Sequence, residues 1–349
     1  MMEATINKPT VHDIAREAGV SLATVDRVLN SRPGVRQGTI DKVRGAIDRL
    51  GYVRDTFAAN LARQRQYRFV FVLPDAPSLF VDAVRAALLE AYAAQVTDRI
   101  GLNILSVPGN DPHAIVRKLY ALDISQIDGI ALMVPETPLV RDAVGRLKRA
   151  GVAVIAVASD LPNSERDFFV GIDSVAAGRT SGLLMGKFTH KSGEVLVVTN
   201  SMRARDSQER RLGFDQVIQA RFPHLTVLPS LESFDDPQRM EEMVLRMLLR
   251  CPRLVGLYAM GAGNLSILRA LRRSARRADL AVILHELTPP VRAALLADEI
   301  DAVIAQNVGH LVRSALRVLR NLSDDQPIIE AQERLRIEIV LRENLPDLV

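Results

Sequence analysis

The stretch 10–30, TVHDIAREAGVSLATVDRVLN, constrains this chain more than any other, because two short helices and the turn between them are written into it. Thr10 is placed to cap a first helix whose inward face is Val11, Ile14, Ala15 and Ala18. Gly19 falls where a tight turn needs a left-handed backbone, which glycine adopts at little cost. Ser21 then caps a second helix with Val25, Val28 and Leu29 on its apolar side, and Val20 plugs the corner. Leu22, Ala23, Asp26 and Arg27 are left pointing outward at the start of the second helix, the positions that enter a DNA major groove when such a unit docks. A plain helical hairpin would share the glycine turn. It would not predict a third helix capped by Thr39 and running to Leu50, with Ile40, Val43, Ile47 and Leu50 at helical spacing and Gly51 as its stop.

Beyond it come GYVRDTFAANLARQ and the basic residues Arg63, Arg65 and Arg68. From VHDIAREAGVS.ATV.RVLN through GV.....DKV..AI..LGY to AANLA, the chain resembles the headpiece of the LacI/GalR family, the lactose-repressor-like transcriptional regulators. That resemblance implies base-reading roles for Leu22, Ala23 and Arg27. Arg27 is the strongest, since a guanidinium bonds guanine O6 and N7 together. Thr10, Ser21, Thr24, Asn30 and Thr39 fit phosphate-positioning roles, and Lys8 in the leader is available to a phosphate. Asp26 either pairs with Arg27 or accepts from a cytosine amino group. Residues 52–62 resemble the family's hinge helix, with Leu61 as the minor-groove wedge and Ala58 letting the backbone approach. The family's Pro-Asn pair after the tyrosine is replaced by Val53, Arg54 and Asp55; Asp55 can cap a helix but cannot donate to a phosphate.

Charge follows the same division. Residues up to Arg68 carry 12 Lys plus Arg against 7 Asp plus Glu, a net +5, while the remainder, 33 against 34, nets −1. A polyanion-binding end on a near-neutral body has this distribution. A hydrophobic fraction of 48% with 25% charged residues suits a folded protein of two or three domains. The single Cys251 excludes an internal disulfide and reads as buried filler. No signal peptide or membrane span is evident, so a cytoplasmic location is expected.

From Phe69 short apolar runs alternate with helical segments. FVFVL (69–73) precedes a helix over 79–96; IGLNILSV, a helix near 112–123, DGIALMV, a helix near 138–150 and VAVIAVAS come next. After a crossing segment, EVLVVTN, LTVLPS, RLVGLYAM and LAVILHE are each expected to lead into a helix. IDAVIAQ precedes a last long helix, and LRIEIVLRE closes the series. Such alternation predicts an α/β fold of doubly wound parallel sheets in two lobes, resembling the periplasmic-binding-protein-like core that the family places after its headpiece. The expected division is 1–51 for the headpiece, 52–67 for hinge helix and linker, and 68–349 for an effector-binding and dimerisation core. Its N-lobe would hold 68–172 with 307–332, its C-lobe 173–306 with 333–349.

Ligands of open α/β sheets sit at the carboxyl ends of the strands. That rule selects Asp75 and Phe80 after the first strand, Ser159 and Asp160 after the fourth, Glu286 beside His285, and Gln306. The resemblance adds Arg210, three residues before the pair Gly213-Phe214; its planar fork can hold two hydroxyls or a carboxylate. Glu286 stands where the family commonly has Asp, and Met260-Gly261-Ala262-Gly263-Asn264 replaces the family's Asn-Asp. A sugar or polyol is the default ligand the resemblance implies. MGAGNLS invites a nicotinamide-enzyme reading, but Ser266 replaces the third glycine and a glycine-permitted turn explains the motif more simply. No metal-spaced His or Cys cluster, nucleophile elbow or P-loop is present, so neither cofactor, metal nor catalysis is expected. A solute-binding receptor would not need residues 10–62, and an architectural DNA binder would leave the core unused. The expectation is a ligand-responsive repressor that binds a two-fold-symmetric operator as a homodimer. A core-mediated tetramer stays compatible with the sequence.

Overall fold

The computed structural model describes residues 9–29, 32–52, 65–94, 99–261 and 263–345. Lys8, Asn30, Val53, Arg54, Asp55, Ala58 and Leu61 lie outside the described residues. The chain divides into two compact units, Met1–Arg65 and Gln66–Val349.

In the first unit α1 (Val11–Ala18), α2 (Leu22–Leu29) and α3 (Gln37–Leu50) pack around Ile14, Val25, Val43 and Ala46. Thr10 and Asp13 form a capping box. The Asp13 N–H donates to Thr10 Oγ1, and the Asp13 carboxylate accepts from the Thr10 N–H at 2.9 Å. The Thr10 hydroxyl and backbone hold the Asp13 carboxyl below its usual range. Gly19, at φ 66°, closes α1 with its N–H on Ala15 O, and Ser21 Oγ accepts from the Thr24 N–H at 3.3 Å.

Two expectations are corrected here. Val11 is 37% exposed, because the small core closes over Ile14, Ala15 and Ala18 and leaves the first turn of α1 outside. Thr39 does not cap α3. The helix starts at Gln37, where the Gln37 side chain donates to Asp41 at 3.0 Å across one turn, so Thr39 stands inside the first turn.

The second unit is built on two sheets. The first contains β1 (Tyr67–Pro74), β2 (Ile100–Val107), β3 (Gly129–Leu132), β4 (Ala153–Val157) and β5 (Phe168–Val170), in the order β2-β1-β3-β4-β5 and parallel throughout. Between these strands run α4 (Leu79–Ala94), α5 (Pro112–Tyr120) and α6 (Pro138–Arg149). Alternation along β1 explains both layers: Phe69, Phe71 and Leu73 face one core, Val70 and Val72 the other with Ile115 and Val144.

The chain then crosses to α7 (Ser174–Phe188), β6 (Gly193–Thr199), α8 (Arg205–Arg221), β7 (Leu225–Val227), β8 (Leu231–Glu232), α9 (Pro237–Arg250), β9 (Leu254–Ala259), α10 (Asn264–Ser274), β10 (Ala281–His285), α11 (Pro289–Leu296) and β11 (Ala302–Ala305). The second sheet runs β11-β10-β9-β6-β7, with β8 also on β6. Next, α12 (Val308–Ser323) returns to pack on α4, β3 and β4 of the first lobe. A short α13 (Glu330–Glu333) leads back to β12 (Glu338–Val340), which joins β11 antiparallel. The returning segment is pinned by Arg317 of α12, whose Nε and Nη2 donate to the buried Glu333 carboxylate at 2.6 and 2.7 Å.

Neither α7 nor β5 is legible in the sequence, nor is the short β8, which separates LTVLPS from its helix. The α7 signal is erased by Gly178, Gly182 and Gly186 at four-residue spacing. Their purpose is close approach to α8. A β-carbon on Gly178 would stand 2.0 Å from the Arg210 carbonyl oxygen, and one on Gly213 would stand 2.1 Å from that of Val175. No helix among the described residues is long and apolar enough to cross a membrane.

Candidate functional site

The carboxyl ends of both sheets face a cavity of about 210 Å³. Phe80, Thr137 and Ser159 line it from the first lobe, and Asn200, Asp206, Arg210, Asp235, Glu286 and Gln306 from the second. Five of the residues selected from sequence therefore line one cavity, Phe80 and Ser159 from the first lobe and Arg210, Glu286 and Gln306 from the second. Asp75 and Asp160 do not line the cavity. Asp75 is exposed. Asp160 is turned to Arg166, which donates Nη2 to it at 2.7 Å, so its carboxylate braces its own loop.

The glycine crossing of α7 and α8 sets the position of Arg210. Its guanidinium is 3% exposed, donates Nη1 to Met260 O at 2.6 Å and lies 3.4 Å from Asp206 one turn earlier. Its Nε is buried and has no partner among the described residues. The MGAGN turn makes room for it: Gly261 and Gly263 take φ 134° and 83°, and a β-carbon on Gly261 would stand 3.2 Å from Arg210 Nη1. That geometry accounts for both glycines.

Glu286 follows β10 in a left-handed conformation, φ 67°. Gln306 Nε2 donates to its Oε1 at 2.9 Å, leaving Gln306 Oε1 buried without a partner among the described residues. Burial pushes the Glu286 carboxyl up to about 7, against the opposing pull of the Arg210 charge and the Gln306 hydrogen bond. Beneath this floor Tyr258 and His285 pair, hydroxyl to Nε2, at 2.9 Å. Burial, reinforced by the Arg210 charge, holds the imidazole well below its ordinary value and therefore neutral.

Sequence reasoning missed Asp206, Asn110, Asn200 and Asp235. Asp206 accepts from Ser159 Oγ at 3.1 Å across the lobes. Asp235, at φ 65°, accepts from Asn200 Nδ2 at 2.6 Å and from Asn110 Nδ2 of the first lobe. Burial pushes its carboxyl up despite these two amide donors. Only the Asp206 position carried a signal, one helical turn before Arg210.

In the first unit Ser21, Leu22, Ala23 and Arg27 are exposed, and Thr24 is half-buried. Asp26 is bonded by Arg32 at 3.2 Å, an alternative to either partner expected for it. The Thr10 hydroxyl donates to Asp13 at 2.7 Å within the cap. Among the described residues no group of three or more His, Cys, Asp or Glu is placed to hold a metal.

A helix-turn-helix headpiece ahead of a two-lobed, ligand-cleft core defines the class. Residues 10–55 match the model of bacterial regulatory proteins, lacI family, and residues 69–327 that of the periplasmic binding protein domain. The chain belongs to the lacI family of bacterial regulatory proteins, with a core of the periplasmic-binding-protein type. It is 34% identical to catabolite control protein A of Priestia megaterium over 150 residues, a match spanning 43% of this chain and 43% of that relative. The core shares its fold with an ABC transporter solute binding protein from Burkholderia graminis in complex with D-arabinose: TM-score 0.71, 22% identity, 80% of this chain and 96% of that one. A putative LacI transcriptional regulator from Bacteroides fragilis superposes with TM-score 0.67 at 18% identity, covering 80% of this chain and 98% of that one.

Proposed function

We propose that the chain is a ligand-responsive transcriptional regulator, a repressor, that reads operator DNA through α2 and holds a monosaccharide- or polyol-sized effector between the core lobes. The observation that carries this reading is the cavity at the carboxyl ends of both sheets, lined by Phe80 and Ser159 from one lobe and by Arg210, Glu286 and Gln306 from the other. Arg210 Nε and Gln306 Oε1 are buried without partners among the described residues, each at a cost of about 1–3 kcal/mol that reorientation of these side chains toward a hydroxylated ligand recovers. At about 30 Å³ per water the cavity is equivalent to roughly seven waters. That suits one sugar ring, and Phe80 supplies an apolar wall for it. Catabolite control protein A is a relative whose name fits this role.

The exposed Leu22, Ala23 and Arg27 of the headpiece favour base readout, with Ser21 and Thr24 on phosphates; Leu61 and Ala58 keep the minor-groove role that their resemblance to the family's hinge implies. One headpiece binds weakly and salt-sensitively, so a homodimer on a symmetric site is part of the proposal. The exposed Leu89 and Tyr92 of α4 offer apolar surface for it. Effector binding changes DNA affinity by its differential affinity for two lobe arrangements, and the Ser159–Asp206 and Asn110–Asp235 bonds are among the contacts that differ between them. Acting on DNA also places the protein in the cytoplasm, and no catalytic step is proposed.

A thermal-shift screen of sugars, polyols, sugar phosphates, amino acids and nucleotides tests the proposal. A sugar or polyol that raises the melting temperature of the wild type but not of Arg210→Ala is the expected result. Stabilisation by nicotinamide nucleotides alone overturns it.

A further inference from the structure

The cavity holds more carboxylates than cations. Asp206, Asp235 and Glu286 line it against one buried guanidinium, Arg210, with Arg203 exposed at the rim. Arg210 is already committed, by charge to Asp206 at 3.4 Å and by Nη1 to the Met260 carbonyl. The hydrogen bonds to Glu286 and Asp235 come from amides alone among the described residues: Gln306 on Glu286, and Asn110 and Asn200 on Asp235. An amide donates a hydrogen bond but no countercharge, so neither group has an ion-pair partner within 4 Å among the described residues, and only the more distant Arg210 charge acts on Glu286.

The polar atoms around Glu286 are also rich in acceptors. Gln306 spends its Nε2 on Glu286 and leaves Oε1 buried and unpartnered. Glu286 Oε2 accepts from nothing among the described residues. A ligand hydroxyl brings one proton to this corner, whereas an ammonium brings three and a positive charge. An anionic sugar, whether a phosphate or a uronic acid, would add negative charge beside two carboxyls that burial already disfavours as anions.

Building on the effector reading above, we infer that the ligand of this cleft carries a protonated amine, an amino sugar or amino polyol, with its ammonium against the Glu286 carboxylate and its hydroxyls on the Arg210 side of the cleft. Asp235, on the same cavity, makes the specificity for positive charge a property of two carboxylates. The raised position of the Glu286 carboxyl agrees, since a neighbouring ammonium would hold it ionised and binding near neutral pH would release a proton. The compact cavity and the Phe80 wall favour a ring over a linear polyamine.

Isothermal titration of the full chain at pH 7 tests this. D-Glucosamine, D-galactosamine and D-mannosamine are each compared with the parent hexose, the N-acetyl derivative and the corresponding uronic acid. The expected result is that an amine binds about tenfold or more tightly than its parent, the gain of a charge-assisted over a neutral hydrogen bond. Its heat should differ between buffers of unlike ionisation enthalpy, reporting the released proton. Glu286→Gln, confirmed folded by its melting curve, should bring amine and parent to within about threefold, and Asp235→Asn should narrow the gap independently. A hexose or uronic acid that binds as tightly as its amine, or a preference that survives both variants, overturns the inference while the effector reading stands. Binding by no member of the panel overturns it too, and the wider thermal screen then judges the effector reading separately.

Discussion

Gly178 sits where α7 and α8 come closest, and replacing it with alanine tests whether that crossing sets the position of Arg210. The new β-carbon would stand 2.0 Å from the Arg210 carbonyl oxygen, against the 3.0 Å that real β-carbons keep. Because the obstacle is backbone rather than a flexible side-chain end, α8 must retreat by about 1 Å or α7 must bend. Alanine in a helix interior gains about 1 kcal/mol over glycine. Overpacking of this kind costs about 1–3 kcal/mol. A 2.0 Å approach to backbone puts the cost in the upper part of that range, about 2–3 kcal/mol, so the clash outweighs propensity for a net loss of about 1–2 kcal/mol. For a unit of this size each kcal/mol lowers the melting temperature by about 2–4 °C, so Gly178→Ala should melt about 2–8 °C below wild type by scanning calorimetry. Gly213→Ala approaches the same crossing from the other helix, at 2.1 Å from Val175 O, and should lose a similar amount. Effector binding should suffer beyond the stability loss, since a binding group held about 1 Å away from its place exceeds the tolerance of about 0.5 Å for a preorganised site. A melting temperature that rises in both variants, as helix propensity alone would give, refutes the tight crossing.

Three further outcomes rest on single groups. The Glu286 carboxyl stands at about 7 when folded, above its ordinary 4.5, so the folded state holds the proton more tightly and the stability linked to it falls as pH rises between those values. Glu286→Gln should therefore gain melting temperature relative to wild type from pH 5 to pH 8, and a difference independent of pH would contradict the assignment. Arg317→Leu strands the buried Glu333 charge and should destabilise by an amount near the lower end of about 3–5 kcal/mol in urea titration, given the partial exposure of Arg317. Adding Glu333→Leu should recover most of it, and no recovery would show that packing rather than charge matters there. Arg27→Ala should weaken binding to DNA selected from a random pool by about 1–3 kcal/mol while leaving non-specific binding nearly unchanged, as measured by fluorescence anisotropy. Equal losses on both DNAs would remove Arg27 from base readout.

The parts legible in the sequence are those whose physics is local. Thr10, Gly19 and Ser21 announce the ends of α1 and α2 because caps and left-handed turns are written in one or two residues. β1, β4, β6 and β9 to β11 read as strands because burial on both faces makes them continuous apolar runs. α7 was illegible for the opposite reason: its glycines serve a neighbour distant in sequence and remove the apolar stripe that marks a helix. Arg210 was reached through family resemblance, whereas Glu286 and Gln306 were reached through the strand-end rule. The same rule failed at Asp160, because it predicts where a residue lies and not which way its side chain turns; Arg166 claims that carboxylate. Asp235 and Asn110 could not be foreseen, since they meet only when the lobes do.

The central claim, that one chain couples the cleft to DNA, is tested most directly by one titration. The affinity of the full protein for a DNA sequence it selects from a random pool is measured with and without a saturating concentration of the sugar or amino sugar that stabilises it. The account predicts a change of about fivefold or more in the wild type, in the range of ordinary allosteric coupling, and none in Arg210→Ala. Identical affinities with and without ligand in the wild type would contradict it.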